Sequence, residues 1–323
     1  MRDHGGNIDW AMATFGGDPD QWIDLSTGIN RVPYPIPPLP RHAWTDLPTK
    51  AAMDALADAA RKAYRTDAAV LPLAGAQAAI QMIPQLGAPG RARVLTPTYN
   101  EHAACLCAAG WAVEEVTTLD ALAGADIAVV VNPNNPDGLT YAPDRLLALA
   151  AKVGRLVVDE SFADPRPALS IAPDAGGKGL FVLRSFGKFY GLAGLRLGFV
   201  IGEADEIAKL GEMAGPWPIA GAAIEIGRRA LADKGWAKAT TARLQTETTR
   251  LDAIAQAEGW RALGGTELFR LYDAQDAIAA QNRLAQSHIW TRVFPYAPGW
   301  VRLGLPGCEG EWARLALALG QEA

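Results

Sequence analysis

Positive charge is in short supply in this chain: 30 Lys and Arg stand against 35 Asp and Glu, a formal net charge of −5 over 323 residues. Such a balance offers no basic footprint for nucleic acid or acidic lipid. Sulfur and imidazole are equally scarce. The three cysteines, Cys105, Cys107 and Cys308, form no ligand set with the four histidines, so no metal is expected, and Cys105-x-Cys107 reads as a buried helix surface. No apolar stretch approaches the ~20 residues of a membrane span. Met1-Arg2-Asp3-His4-Gly5 leads into no apolar leader, and the expectation is a soluble cytoplasmic protein. Nucleotide loops are missing too. No Gly-x-x-x-x-Gly precedes Lys188, and Gly191, Gly194 and Gly198 do not space as Gly-x-Gly-x-x-Gly. What the chain has is apolar residues, 50% of the total, enough for two domains with ample core.

One lysine stands out. Lys188 lies in Ser185-Phe186-Gly187-Lys188-Phe189-Tyr190-Gly191, with Arg196 eight positions on. An amine among small residues can form a Schiff base, while a hydroxyl (Ser185) and a guanidinium fork (Arg196) suit a phosphate. Pyridoxal 5'-phosphate (PLP) is the cofactor that needs both. Taken alone, Ser-x-x-Lys also fits a surface lysine in a Gly-rich loop.

The neighbouring apolar runs supply context. Ile127–Val131 reads as a buried parallel strand ending in Asn132-Pro133-Asn134-Asn135-Pro136, either a plain turn or polar groups at a strand's carboxyl end. Arg155–Val158 ends in Asp159-Glu160-Ser161-Phe162. There Asp159 fits a helix N-cap or a partner for a protonated pyridine nitrogen. Gly179–Arg184 runs into Ser185. Three consecutive strands thus bring Asn135, Asp159 and Lys188 to one sheet edge, where open α/β sheets bind ligands.

Apolar strands alternate with Ala-rich helical patterns from Leu71 to Ile201, which implies a mostly parallel sheet with helices on both faces. The Pro-rich stretch 32–40 reads as an extended connection. Gly215-Pro216-Trp217-Pro218 interrupts a helix. Helical segments at 220–233 and 238–258 and short strands near 268–271 and 300–303 then suggest a smaller α/β domain. The expected organisation is an arm (1–44), a large domain (45–215) and a small C-terminal domain (216–323).

Through Asn132–Pro136, Asp159–Phe162 and Ser185-x-x-Lys188 with Arg196 and Gly198, the chain resembles the fold type I PLP enzymes of the aminotransferase class I/II branch. That resemblance implies the Schiff-base role for Lys188, the pyridine partner for Asp159 and a bond from Asn135 to the cofactor's phenolic oxygen. It implies phosphate ligands in Ser185, Arg196 and the turn Gly75-Ala76-Gln77, a ring-stacking Tyr99, and Arg302 gripping a substrate carboxylate. On the residues alone, Tyr99 fits a packed tyrosine and Arg302 a solvated strand arginine. Two positions depart from the pattern: Gly187 stands where Thr or Ser is common, and Trp44 where a tyrosine often reaches the neighbouring subunit.

The amino-terminal segment narrows the resemblance. His4-Gly5-Gly6-Asn7 and the run from Trp22 to Asn30, including Gly28, look like the start of threonine-phosphate decarboxylases of cobalamin biosynthesis. Glycine N–H groups with His and Asn donors suit an oxyanion, which would explain an ordered terminus; the alternative is a tail with no role. The resemblance implies decarboxylation of L-threonine O-3-phosphate by a homodimer, with His4, Gly5, Gly6, Asn7, Gly28, Asn30, Asn135 and Arg302 at the substrate. A histidinol-phosphate-type aminotransferase and a non-catalytic protein of the same fold are the alternatives.

Overall fold

Ile127–Val131 is buried at every position, as a strand covered on both faces must be. It is the fifth of thirteen strands among residues 4–321, which the computed structural model describes. The outermost residues of the expected arm and small domain, 1–3 and 322–323, lie outside the described residues. In chain order the strands are β1 (Ile23–Asp24), β2 (Ala69–Leu73), β3 (Arg91–Leu95), β4 (Ala112–Val116), β5 (Ile127–Val131), β6 (Arg155–Asp159) and β7 (Leu180–Ser185). There follow β8 (Gly198–Gly202), β9 (Arg261–Thr266), β10 (Phe269–Asp273), β11 (Ile289–Trp290), β12 (Arg292–Phe294) and β13 (Ala297–Gly304).

Strands β2 to β8 form one sheet in the order β2-β8-β7-β6-β5-β3-β4. It is parallel except at β8, which runs antiparallel to both β2 and β7. Its core gathers Val94, Ile127, Val129, Val157, Phe181 and Val200 with the helical residues Ile80, Ile83 and Leu106. The helix Lys50–Tyr64 shows how the sequence sets an element: Thr49 caps it by accepting from Ala52 N at 3.1 Å, and Leu56, Ala57, Ala60 and Tyr64 form its buried stripe. Cys105 is buried in the helix Glu101–Ala108, whereas Cys107 is exposed.

This sheet belongs to a unit of Tyr34–Asn135 and Thr140–Trp236; a second unit takes the N-terminal residues through Pro33, Pro136–Leu139 and everything from Ala237. These limits differ from the expected ones at 44 and 215. The helix break at Gly215 is present, between Ala204–Ala214 and Gly221–Ala232. Yet Gly221–Ala232 stays in the larger unit because it lies close against earlier elements, with Gly227 beside Leu197 and Leu56 and Gly221 beside Ala43. Tyr34 is tied to the same unit by its N–H, which donates to Tyr190 O at 2.9 Å.

In the smaller unit an antiparallel sheet runs β12-β13-β10-β9, and β1 pairs in parallel with β11. Ala11, Trp22, Ala285 and Trp290 close a separate apolar cluster. Among the described residues no helix is long and apolar enough to cross a membrane, and no group of His, Cys, Asp and Glu side chains could hold a metal ion.

Candidate active site

Strands β5, β6 and β7 are neighbours, paired so that Val131 faces Asp159 and Asp159 faces Leu183. Their carboxyl ends therefore point the same way, with β7 running two residues further to Ser185, and the residues at and just beyond these ends share one edge. After β5, two asparagines are used by the loop itself. Asn132 Nδ2 donates to Tyr141 O (3.1 Å) while its Oδ1 accepts from Tyr141 N (2.8 Å), and Asn134 joins the loop after β3 through Thr98 Oγ1 (2.7 Å) and Pro97 O (2.9 Å). Asn135 reaches a cavity of about 170 Å³, well above the ~10–15 Å³ a single water needs. Gly75, Ala76, Gln77, Tyr99, Asp159, Ser185, Lys188 and Arg196 line it with Asn135. All nine residues assigned from sequence to a cofactor thus meet in one place.

Asp159 is not a helix cap. Its carboxyl is buried, with Oδ2 2.9 Å from His102 Nε2, while Oδ1 accepts from Ser161 N (2.9 Å) and Ser161 Oγ (2.5 Å). Burial alone would push the carboxyl up, but the His102 and Ser161 hydrogen bonds outweigh it and hold Asp159 below the usual carboxylate range. The group is thereby kept anionic facing the cavity. His102 escaped the sequence reading, which weighed it only as a possible metal ligand. A usable signal was its place three residues after Tyr99, at the start of the helix Glu101–Ala108, where the two rings lie 6.1 Å apart.

The other wall is made of close backbone approaches. Gly75 has φ +81°, and a Cβ there would lie 2.9 Å from an Arg196 terminal nitrogen. Gly198 packs still closer: its Cβ would lie 2.3 Å from Ala76 N and 2.5 Å from Gly75 C. Hydrogen at both positions lets the turn, the Arg196 guanidinium and Ser185 crowd round one spot. Lys188 sits on the single turn Phe186–Phe189 that Ser185 opens, its Nζ 5.7 Å from the centre of the buried Phe162 ring. Gly187 also has a reason here, since a Cβ would come 2.9 Å from Ala193 Cα. There is no room for the Thr or Ser common at that position.

The model of the aminotransferase class I and II family matches residues 41–318. The chain belongs to that family. A threonine-phosphate decarboxylase of Sinorhizobium sp is 45% identical over 98% of this chain and 97% of its own length. Another, of Pseudomonas aeruginosa, is 42% identical over 99% and 97%. Among solved structures, a histidinol-phosphate aminotransferase from Sinorhizobium meliloti in complex with pyridoxal-5'-phosphate superposes with a TM-score of 0.81 at 22% identity. That match covers 99% of this chain and 94% of that one. The central sheet is thus the α/β scaffold of aminotransferase class I and II proteins.

In this class I/II chain the residues expected to meet substrate, other than Asn135, belong to the smaller unit. Ser26 organises several of them. Gly6 N donates to Ser26 Oγ (2.6 Å), Gly5 packs so closely that a Cβ would lie 2.5 Å from Ser26 O, and an Arg302 terminal nitrogen donates to that same carbonyl. Ser26 is held in turn by Asp24 Oδ1. Arg302 is not a solvated strand arginine: it is buried, 5.0 Å from the centre of the Phe269 ring, and directly opposite Arg292 across the β12–β13 ladder. Burial, with Arg292 beside it, pushes the Arg302 guanidinium down to about 9. Arg292 was missed because the sequence gives no register for β12.

Asn30 is buried, and its Oδ1 accepts from Arg243 (2.7 Å) and from Val32 N (3.1 Å). Gly28 turns the chain with φ +63°. His4 and Asn7 line a second cavity with Trp10, Gln281, Trp290 and Arg292. Trp44 is 69% exposed on the larger unit.

Proposed function

We propose that this chain is a PLP enzyme that decarboxylates L-threonine O-3-phosphate to (R)-1-amino-2-propanol O-2-phosphate for cobalamin biosynthesis. The observation that carries this is the convergence of Lys188, Asp159, Asn135, Ser185 and Arg196 on one cavity. The names of the two relatives above 40% identity favour decarboxylation over transamination within that chemistry.

The residues present suit the cofactor. The Gly75 and Gly198 approaches with the Ser185 hydroxyl and the Arg196 fork make a donor set for a phosphate ester, joined by N–H groups of Gly75, Ala76 and Gln77. Lys188 would hold the aldehyde carbon, Asp159 the ring nitrogen, Asn135 the phenolic oxygen and Tyr99 the ring face. When bound, PLP supplies an electron sink at the substrate Cα.

The chain's own groups do the rest. Asp159, kept ionised by His102 and Ser161, holds a proton on the ring nitrogen. Arg302 is a buried cation beside a second arginine, and an anionic guest such as the α-carboxylate relieves that repulsion. His4, Asn7, Gly28 and Asn30, with the N–H groups near Gly5, would receive the ester phosphate, the Gly6 N–H being given to Ser26 Oγ. Asn30 would do so through Nδ2, the donor end of its amide, while Oδ1 accepts from Arg243. As CO2 leaves Cα, Lys188 Nζ would return a proton there, so no oxidant or reductant is required. We infer further that the enzyme is a cytoplasmic homodimer. Ile36, Trp44 and Leu47, each more than 60% exposed on the segment after Tyr34, are apolar surface that a second copy would cover.

The test is incubation of the purified protein and PLP with O-phosphothreonine, following CO2 and amine. His4→Ala or Asn30→Ala should lower kcat/KM roughly ten- to a hundredfold with PLP occupancy retained. Faster transamination of histidinol phosphate with 2-oxoglutarate would overturn the reading. An active monomer in sedimentation would remove the dimer.

A further inference from the structure

The side chain of Gln77 lies between two others. Tyr99 Oη donates to Gln77 Oε1 at 3.2 Å, and Gln77 Nε2 donates to Glu101 Oε2 at 2.9 Å. Gln77 and Tyr99 both line the Lys188 cavity. Glu101 does not, yet it is only 7% exposed. A carboxylate held that far from water is costly, and nothing in the reaction as derived above uses it.

The chemistry of an amide explains what it does. A primary amide has a donor end and an acceptor end, whereas an ionised carboxylate only accepts. Glu101 therefore takes the Nε2 end of Gln77 and turns Oε1 toward Tyr99, whose hydroxyl must donate. The relay runs from the first residue of the helix Glu101–Ala108 to the first turn of the helix Ala76–Met82 that follows β2, so it ties the segment that carries Tyr99 to the one that carries Gln77. Tyr99 stays a donor throughout any working range, since burial first, then Glu101 and Asp159, push its phenol up to about 12.

We propose that Glu101 is a positioning residue: acting through Gln77, it fixes the Tyr99 ring in the orientation that covers the cofactor's face. This rests on the cavity being a PLP site. The competing role is a purely local one, a carboxylate stabilising the first turn of its own helix. That role depends on the charge, whereas the relay depends on an acceptor oxygen and on the Tyr99 hydroxyl.

The experiment is titration of the apo-protein with PLP across a double-mutant cycle, with circular dichroism checking the fold of each variant. Glu101→Leu should weaken PLP binding about five- to tenfold, the effect of one lost hydrogen bond. Glu101→Gln should bind within about twofold of wild type, because its amide oxygen still accepts from Gln77 Nε2. In a Tyr99→Phe background, Glu101→Leu should change PLP affinity by less than about twofold. An undiminished deficit in that background, or a Glu101→Gln variant as weak as Glu101→Leu, overturns the proposal in favour of the helix-end role. If Glu101→Leu does not fold, Gln77→Leu takes its place in the same cycle with the same expected coupling to Tyr99→Phe. Should the wild-type protein bind no PLP, the cofactor reading and this proposal fall together; should it bind PLP with no coupling in the cycle, this proposal alone falls.

Discussion

Replacing His102 with Phe would test the electrostatics of the cavity directly. The ring is kept and the Nε2 contact to Asp159 Oδ2 is removed, leaving a fully buried carboxyl with only its Ser161 donors. A hydrogen bond to a charged group is worth about 1.5–3 kcal/mol, and Asp159 is too buried for solvent to take the donor's place. The sign follows from the direction of the shift. In the wild type Asp159 lies below its unfolded value, so it contributes stability above about pH 3.9, the ordinary carboxylate value, and loses it as pH falls through the folded value. Without His102, burial is less opposed and Asp159 moves up. The variant should therefore be less stable than wild type by about 1.5–3 kcal/mol near pH 8 in urea unfolding of the apo-protein. That difference should shrink as pH drops and Asp159 takes up a proton. The acid limb of kcat/KM should shift toward higher pH in parallel. A pH-independent difference together with an unshifted acid limb would show that His102 is not what keeps Asp159 ionised.

Lys188→Ala should abolish both decarboxylation and the PLP adduct that borohydride traps; an adduct on another lysine would displace Lys188 from its role. Arg184, fully buried, pairs with Glu160 (2.8 Å) and Asp164 (2.7 Å). Arg184→Leu leaves both carboxylates buried without it and should cost about 3–5 kcal/mol, read as a lower urea midpoint; a loss under about 1 kcal/mol would mean the network is not structural. Gly187→Ser, which adds the hydroxyl common at that position, should weaken PLP binding several-fold because its Cβ meets Ala193 Cα. Tighter binding would show that the backbone yields there.

The cavity was legible in the sequence because its residues follow directly on uninterrupted strand runs. Val131, Asp159 and Ser185 end their strands, so reading the strands locates the chemistry at the sheet edge. His102 was not legible because its partner lies 57 residues away, and no local pattern tells a helix which strand end it will face. Arg292 depends on a register that contains a bulge at Val293 and Phe294. The expected limit differs from that of the compact units for a related reason: Gly215 and Pro216 end a helix by local rules, but which unit the next helix joins is decided by Leu56, Leu197 and Ala43 packed against it.

The crowding at Gly198 separates ancestry from activity. A Cβ there would collide with Ala76 N, Gly75 C and, at 3.0 Å, Arg184 O, which are backbone atoms that no side-chain rearrangement can clear. A descendant that had abandoned chemistry would still need glycine at 198 to close its sheet against the turn. Glycine at 198 is thus a marker of the architecture rather than of the activity.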